Sequence, residues 1–327
     1  MRTFSLIVET ENLGMAELTD LEASLNSLKS QSYPIKKLKE VLVVVGNKLS
    51  PKIQRHIKAI YPWVRIHTVK GTLDYAKSKM MGAQAATGSV LIFCDCDMRY
   101  ETGWLLNMVK AFNKYKSGYV ISGDTRLITD SSYKMALNTT WMIQLLSDKI
   151  DAPVPTTLFP LNNFGIEKKV ILKTPIPYKL PLYRNKIPIW EKMLKNEGVK
   201  IVRAPGTRGH HAPPGKFLDW FYRMLIYGAD FVAMEDFRLT KSKVVEKRNM
   251  PGRIKKFLLL TPWKLEQIIL NSTKILLEDG SRVKYLPLAT LISIANIFIA
   301  QLGATIAVFN RDFVFKKINA YEEGHNI

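Results

Sequence analysis

The sequence predicts an α/β domain with a mainly parallel sheet flanked by helices, followed by a C-terminal amphipathic and hydrophobic helical region. In the N-terminal third, short apolar or β-branched runs alternate with segments of helical periodicity, as expected for parallel strands joined by crossover helices. Hydrophobic residues make up 47% of the 327 residues, which is enough for a packed core and excludes a disordered chain. No charged residue lies between Lys284 and Arg311, which marks the hydrophobic region.

The expected elements follow one another in chain order. The run EVLVVV at Glu40–Val45 is continuously apolar and β-branched, as is typical of a strand buried on both faces. Leucines at helical spacing (Leu21, Leu25 and Leu28) indicate the helix that precedes it. The predicted strands are 4–8, 40–45, 64–69 and 89–94, and the predicted helices are 13–30, 51–60 and 72–86. In an open sheet of this kind, ligands bind beyond the carboxyl ends of the strands.

A pair of carboxylates follows the fourth predicted strand. Asp95 and Asp97 flank Cys96 and leave the strand end two positions apart, which places both on the same side. This arrangement suits a hard divalent cation such as Mg²⁺ or Mn²⁺, which takes oxygen ligands and shares its shell with phosphates. Most Asp-x-Asp tripeptides lie in solvated turns. The buried strand that precedes Asp95 is therefore the feature that favours a metal site here. Cys94 and Cys96 are the two cysteines of the chain, which suggests a reducing compartment.

Over about residues 4–230 the chain resembles the family 2 glycosyltransferases, which have the Rossmann-like GT-A fold. The resemblance lies in the order and spacing of loosely matched segments. They are SLIVETEN at 5–12, LEASLNSLKSQSYP at 21–34, the run from Ser78 to Gly88, SVLIFCDCDM at 89–98, LNNFGIEKKVI at 161–171 and GVKIVRAPGTRGHHAPP at 198–214. The resemblance implies a GT-A catalytic domain, which we place at residues 1–240.

The resemblance also implies a nucleotide-sugar donor and a divalent cation, Mn²⁺ or Mg²⁺, that bridges its diphosphate. Carried over by motif, Asp97 is the direct metal ligand, and Asp95 contacts the metal or the ribose. His211, or its neighbour His210, completes the metal site. Further matched positions for the donor are Thr10, Asn12 and Lys79, with Lys79 facing the phosphates.

The sequence departs from the family pattern at two points that matter for chemistry. Gly46 and Asn47 stand where the family has aspartates that hold the nucleotide base, so the base stays open. Lys186 and Ile187 stand where the family has an acidic pair that contains the catalytic base. Glu191 is the nearest carboxylate, and we expect it to deprotonate the acceptor hydroxyl in an inverting transfer.

Two other interpretations of this region remain open. Asp219 is a second candidate for the catalytic base. Glu191 also has the spacing of an ordinary helix glutamate paired with Lys195 at i+4. Trp190 or Trp220 is expected to line the acceptor side, where an aromatic ring stacks on a sugar.

The charge distribution predicts contact with a membrane. The chain has a net charge of +20, and a basic linker followed by an amphipathic interfacial helix is expected at 241–280. Thr261 and Pro262 are predicted to begin that helix, and Gly280 is predicted to end it. A hydrophobic membrane-associated segment and short tail follow at 281–327. For 285–309, a buried helical hairpin broken at Gly303 is the alternative to a membrane segment.

These observations predict a metal-dependent inverting glycosyltransferase at the cytosolic face of a membrane. The expected partners are a nucleotide-sugar donor, a lipid or glycan acceptor and an anionic membrane surface. No signal peptide is expected, because the N-terminal apolar run is short and meets Glu9 and Glu11 at once. The alternatives are a catalytically inactive GT-A-like membrane scaffold and a nucleotidyltransferase. No nucleic acid is expected, because many basic residues cluster beside the hydrophobic run.

Overall fold

A computed structural model describes most of the chain and shows an α/β body joined to three long C-terminal helices. The described residues are 2–11, 18–46, 49–71, 73–115, 117–140, 152–156, 159–183, 186–214, 216–240 and 243–323. The strands are β1 Phe4–Glu9, β2 Glu40–Val45, β3 Val64–Thr68, β4 Val90–Asp95, β5 Met98–Tyr100, β6 Tyr119–Arg126, β7 Val154–Pro155, β8 Asn163–Glu167, β9 Lys200–His211, β10 Phe237–Thr240 and β11 Lys243–Glu246. The helices are α1 Leu18–Lys29, α2 Pro51–Ile60, α3 Tyr75–Ala85, α4 Trp104–Lys114, α5 Ser132–Thr140, α6 Lys168–Lys173, α7 Ile187–Asn196, α8 Phe217–Ala233, α9 Met250–Glu278 and α10 Leu286–Glu323.

One mixed sheet organises the body, in the order β3-β2-β1-β4-β8-β6-β9-β5, with β7 paired to β9. The first four strands in this order pair in parallel, as the sequence predicts. β8 then pairs antiparallel with both β4 and β6, and β9 is parallel to β6 and antiparallel to β5. A separate hairpin is formed by β10 and β11. The predicted α/β fold class with flanking helices is confirmed.

Local capping sets the helix boundaries. The hydroxyl of Ser50 accepts a hydrogen bond from the backbone N–H of Ile53, and Pro51 occupies the first turn, so α2 has the predicted bounds. Asp74 caps α3 in the same way by accepting from Lys77 N at 2.7 Å. This cap explains why α3 begins at Tyr75 rather than at 72. The predicted helix 13–30 begins at 18 in the described residues, and 12–17 lie outside them.

Both faces of the sheet are buried, which explains the continuously apolar strands. Along β1, Leu6 and Val8 pack into one core cluster, whereas Ile7 packs into the cluster on the opposite face. On that second face α3 approaches β1 closely, because a Cβ at Gly82 would lie only 2.5 Å from Ile7 Cγ2. This close approach brings the α3 side chain of Lys79 beneath the end of β4.

The C-terminal helices differ from the prediction at two points. α9 begins at Met250 and runs through Pro262, so the expected start at Thr261 and Pro262 is wrong. Asn249 supplies the cap by accepting from Gly252 N at 3.1 Å. α10 is likewise continuous through Gly303, and its one described non-helical residue is Asn310, so the alternative hairpin broken at Gly303 is wrong. Within the described residues, Gly280–Val314 is the one stretch long and apolar enough to cross a membrane.

Candidate functional site

The carboxyl end of β4 carries the first part of the site. Asp95 is the last residue of β4, and its side chain is almost fully buried. Lys79 Nζ lies 2.5 Å from Asp95 Oδ1, and the hydroxyl of Tyr75 donates to Asp95 Oδ2 at 2.8 Å. Both oxygens of this carboxylate therefore have a donor within the protein. Lys79 is fully buried and supports Asp95 from inside the fold, so the structure does not bring Lys79 to a surface where it would face phosphates.

A further carboxylate, Glu9, lies beside Asp95 at the end of the neighbouring strand. The two residues are direct partners in the β1–β4 register. Burial raises the pKa of Glu9 well above its ordinary value, and the neighbouring charge of Asp95 adds to the rise while Lys79 opposes it. Glu9 therefore adds a further buried carboxyl group at the back of the site.

Asp97 and His211 are brought together by the pairing of β5 with β9. Met98 is the register partner of His211, and the backbone N–H of Ala212 donates to Asp97 O at 2.9 Å. As a result His211 Nε2 lies 3.3 Å from Asp97 Oδ2. The other ring nitrogen, Nδ1, is 2.5 Å from Ala212 O, which favours the tautomer with its proton on Nδ1. In that tautomer the lone pair of Nε2 faces a carboxylate oxygen.

This pair fits a divalent cation. Two facing acceptor atoms repel one another unless a proton or a cation lies between them. Asp97 Oδ1 is buried and has no hydrogen-bond partner among the described residues. Adjacent ligands of an octahedral ion such as Mg²⁺ stand about 3.0 Å apart, close to the observed separation of the two side chains.

The described side chains could supply only part of a metal shell here. No group of three or more histidine, cysteine or carboxylate side chains that could hold a metal ion alone occurs in the described ranges. A cation at Asp97 and His211 would therefore complete its shell with oxygens of a ligand, as Mg²⁺ commonly does with phosphates.

The two adjacent histidines point to different places. Successive side chains of a strand alternate between faces, so His210 and His211 cannot both face Asp97. His210 Nε2 lies 3.1 Å from Glu101 Oε1 instead. Of the two histidines that the sequence offered, His211 is the one that lies beside Asp97.

The structure does not bring the other residues predicted to contact the nucleotide sugar into this group. Thr10 is buried, and its hydroxyl donates to Val44 O at 2.9 Å, so it ties β1 to β2. Asn12 and Asn47 lie outside the described residues. The predicted metal and ribose residues Asp95, Asp97 and His211 are thus the ones that the structure brings together.

A cavity of about 810 Å³ lies in front of these residues, between the body and the helices α8 and α9. Its lining combines polar residues from the strand ends with apolar residues from the two helices. The polar and charged members are Tyr75, Asp95, Asp124, Thr125, Asn162, Lys192, Arg203, His211, Arg223, Lys256 and Glu266. The aliphatic and aromatic members include Leu161, Ile187, Pro188, Ile226, Tyr227, Phe231, Met234, Leu259, Pro262 and Trp263.

The candidate catalytic bases do not line this cavity. Glu191 is buried on α7 with Lys195 Nζ 2.6 Å from its Oε1, which is the i+4 pair that the sequence allowed. Burial raises the pKa of Glu191, and Lys195 opposes the rise. Asp219 is buried on α8, one helical turn before the cavity-lining Arg223. Neither carboxylate is a lining residue of the cavity.

The aromatic residues of the cavity are not the ones singled out from sequence. Trp190 is fully buried in the core, where its indole N–H donates to Thr174 O at 2.8 Å, so its expected place on the acceptor side is wrong. Trp220 donates to Asn296 Oδ1 at 2.7 Å and is not a lining residue. Tyr227, Phe231 and Trp263 line the cavity instead. Their helical spacing on α8 and α9 indicated only amphipathic helices, so no local signal distinguished them.

Residues 15–172 match the family model described as Glycosyl transferase family 2. Just under half of the chain is therefore similar in sequence to the family 2 glycosyltransferases. A comparison with curated protein sequences gave no match.

Solved structures with the same fold include two glycosyltransferases. GalNAc-T7 with UDP, GalNAc and Mn²⁺ has a TM-score of 0.53 at 13% identity over 71% of this chain. This chain spans about half of that protein, 52%. The mannosyltransferase PcManGT from Pyrobaculum calidifontis, in complex with GDP-Man and Mn²⁺, has a TM-score of 0.53 at 18% identity and covers 99% of this chain and 86% of its own. Both likenesses concern the fold.

Proposed function

We propose that this protein is a glycosyltransferase that moves a sugar, with inversion, from a nucleotide-sugar donor to an acceptor oxygen at a membrane surface, with Mn²⁺ or Mg²⁺ held by Asp97 and His211. The observation that carries the proposal is the facing pair Asp97 Oδ2 and His211 Nε2, 3.3 Å apart, next to the cavity-lining Asp95. The nucleotides and Mn²⁺ in the two structures of the same fold support the same chemistry.

The residues of the site have separable tasks in this mechanism. When bound, a divalent cation neutralises charge that develops on the departing diphosphate. Asp97 and His211 hold that cation, and the β5–β9 pairing fixes the distance between them. Asp95 is oriented by Lys79 and Tyr75, so its place beside the donor is set before the donor binds. The acceptor enters from the opposite part of the cavity, as a single displacement with inversion requires.

The metal site can be tested by substituting its two proposed ligands, with the neighbouring histidine as control. We expect Asp97→Asn and His211→Gln each to lower nucleotide release from the preferred donor at least 100-fold and to weaken Mn²⁺ binding measured by calorimetry. His210→Gln is the matched control, because His210 faces Glu101, and it should retain activity. Turnover within threefold of the unchanged protein in Asp97→Asn would remove the metal-site assignment. A protein that binds donor and Mn²⁺ but never releases nucleotide would instead be the inactive scaffold.

The distribution of polar residues on α10 supports a membrane surface as partner. Polar side chains face the protein interior: Ser293 Oγ lies 3.2 Å from Thr139 Oγ1, and Asn296 donates to Thr140 Oγ1 at 2.9 Å. Large apolar side chains face outward, and Leu291 and Phe298 are 64% and 71% exposed. A helix on the surface of a water-soluble protein has the reverse arrangement. An outer apolar face of this size is typical of a lipid-facing or protein-binding surface.

Basic residues surround this apolar face. Lys255, Lys284, Lys316 and Lys317 are exposed near it on α9, on α10 and at the turn between them. Such lysines attract anionic lipid headgroups, each by about 1 kcal/mol. We therefore propose that α9 and α10 seat the enzyme on an anionic leaflet, with the cavity close to the lipid.

A further inference from the structure

The cavity has two ends of different chemistry. The end beside β4 and β9 contains the proposed metal and donor residues. The other end lies between α8 and α9, where the Trp263 ring is stacked against Phe231 and Tyr227 with centroid distances of 5.3 and 6.3 Å. Ile226 and Leu259 extend this apolar wall. A ligand that fills both ends must combine a polar head with a substantial apolar portion.

The apolar end opens toward the proposed membrane face. Leu259 lines the cavity and is also 46% exposed, so it lies at the mouth. On the outer side of the same helix, Leu258 and Leu265 are 66% and 45% exposed. An apolar chain can therefore extend from a bilayer into the cavity without crossing water, which avoids the cost of hydrating it.

Positively charged side chains also line the cavity. The guanidinium groups of Arg203 and Arg223 line the cavity, and both residues are buried. Lys192 and Lys256 contribute further positive charge to the lining. Arginine presents a planar set of donors that matches phosphate oxygens, so this part of the cavity suits an anionic head group.

The carboxylates of the cavity are poorly suited to deprotonate a hydroxyl. Asp95 accepts from Lys79 and Tyr75, and Asp124 Oδ2 accepts from Arg126 Nε at 2.7 Å and Arg208 Nε at 3.3 Å. Both carboxylates are therefore already engaged by donors of the protein, which leaves them poorly placed to accept a proton from an acceptor hydroxyl. The remaining lining carboxylate, Glu266, is exposed on α9. An acceptor that is already ionised would need no base, and a phosphate monoester largely is at neutral pH.

We infer that the acceptor is a lipid phosphate, with its apolar chain between α8 and α9 and its phosphate beside Arg203 and Arg223. A phosphate oxygen forms the bond to the anomeric carbon of the sugar, and the bond from that carbon to the donor diphosphate breaks. The nucleoside diphosphate leaves with the electron pair, and no proton is transferred. This inference rests on the proposed function and names the substrate class of the same site.

The acceptor class can be tested with pairs of compounds that differ in one group. The full chain in detergent, with Mn²⁺ and its preferred nucleotide sugar, is given a long single-chain lipid as its monophosphate or as its alcohol. We expect the phosphate to be glycosylated at least 100-fold faster. Ethyl phosphate tests whether the head group suffices, and we expect it to require a far higher concentration than the lipid phosphate. Equal rates with the lipid alcohol, or equal KM for ethyl phosphate, would overturn the inference.

The apolar end can be tested separately by substitution. Trp263→Ala and Leu259→Ser should each raise the KM for the lipid phosphate about tenfold and leave the donor KM unchanged. Leu277→Ser is the matched control, because Leu277 is exposed on the same helix and does not line the cavity. Unchanged lipid KM in both cavity variants would refute the assignment. If the proposed function itself were wrong, the unsubstituted protein would also fail to bind donor and Mn²⁺. That result distinguishes it from failure of the acceptor inference alone.

Discussion

Lys79 illustrates how a residue can serve the site without touching a ligand. It is fully buried, lies 2.5 Å from Asp95 and stands over the Tyr75 ring at 4.5 Å from the centroid. Glu9 and Asp97 also lie close enough that the charge of Asp97 contributes to the raised pKa of Glu9. A single buried cation thus offsets a group of carboxylates that would otherwise repel one another. The matching position in the family suggested a phosphate contact, but its burial makes the residue a positioning one.

We expect Lys79→Met to lower the free energy of unfolding by about 3–5 kcal/mol, because it leaves buried carboxylates without their cation. The measurement is urea denaturation, and Lys58→Met, at an exposed lysine on α2, is the control that should change little. Adding Asp95→Asn to Lys79→Met should recover part of the loss, as expected for two interacting charges. Simple additivity of the two substitutions would contradict a direct electrostatic pairing.

At the scale of elements, the crossing of α8 and α10 depends on two glycines. A Cβ at Gly228 would lie 1.7 Å from Ala300 O, and one at Gly303 would lie 2.0 Å from Leu225 O. Both obstacles are backbone atoms, so no side-chain rotation can relieve them. This close contact places α8 against α10 on one side while α8 walls the cavity on the other. The glycine at 303 therefore permits helix packing rather than a helix break.

We expect Gly228→Ala to destabilise the protein by about 1–3 kcal/mol or more, because α10 must move away from α8. Thermal unfolding in detergent measures the loss, and protease cleavage within α10 should become faster as the helix separates. Gly280→Ala is the control, since a Cβ there meets nothing within 4 Å. A Gly228→Ala protein with the stability and protease resistance of the control would show that the two helices are not in close contact.

The elements also show what the sequence could and could not predict. The strands from β1 to β4 and the helix α2 followed from periodicity and caps, because those signals are local. The antiparallel strand β8 and the β5–β9 pair did not, because strand pairing depends on residues far apart in the chain. His211 could be proposed from the family pattern, but only the β5–β9 register separates it from His210. Pro262 failed as a helix start because the Asn249 cap lies further upstream.

At the scale of the whole molecule, both ends of the apolar part of α10 are held to the rest of the protein. Near its start, Ser293 and Asn296 contact α5. Near its end, Arg253 donates to Val308 O at 3.2 Å, and Arg311 Nη1 lies 3.1 Å from Asp236 Oδ2. A helix that crossed a bilayer alone would be lipid-exposed on all sides, whereas this helix keeps one face covered over its length. The arrangement favours a helix that lies in the plane of the membrane interface.

The in-plane arrangement predicts that both ends of α10 stay on the side of the α/β body. We expect a maleimide that cannot cross membranes to label Lys317→Cys, just beyond the Asn310 bend, in sealed vesicles that carry the body on the outside. Background labelling should be low, because Cys94 and Cys96 are buried. Lys58→Cys on the body is the positive control for accessibility. Protection of Lys317→Cys until detergent is added, with Lys58→Cys labelled throughout, would mean that α10 crosses the bilayer. Equal labelling of the two in intact vesicles places α10 at the interface, where the mouth of the cavity at Leu259 meets the lipid.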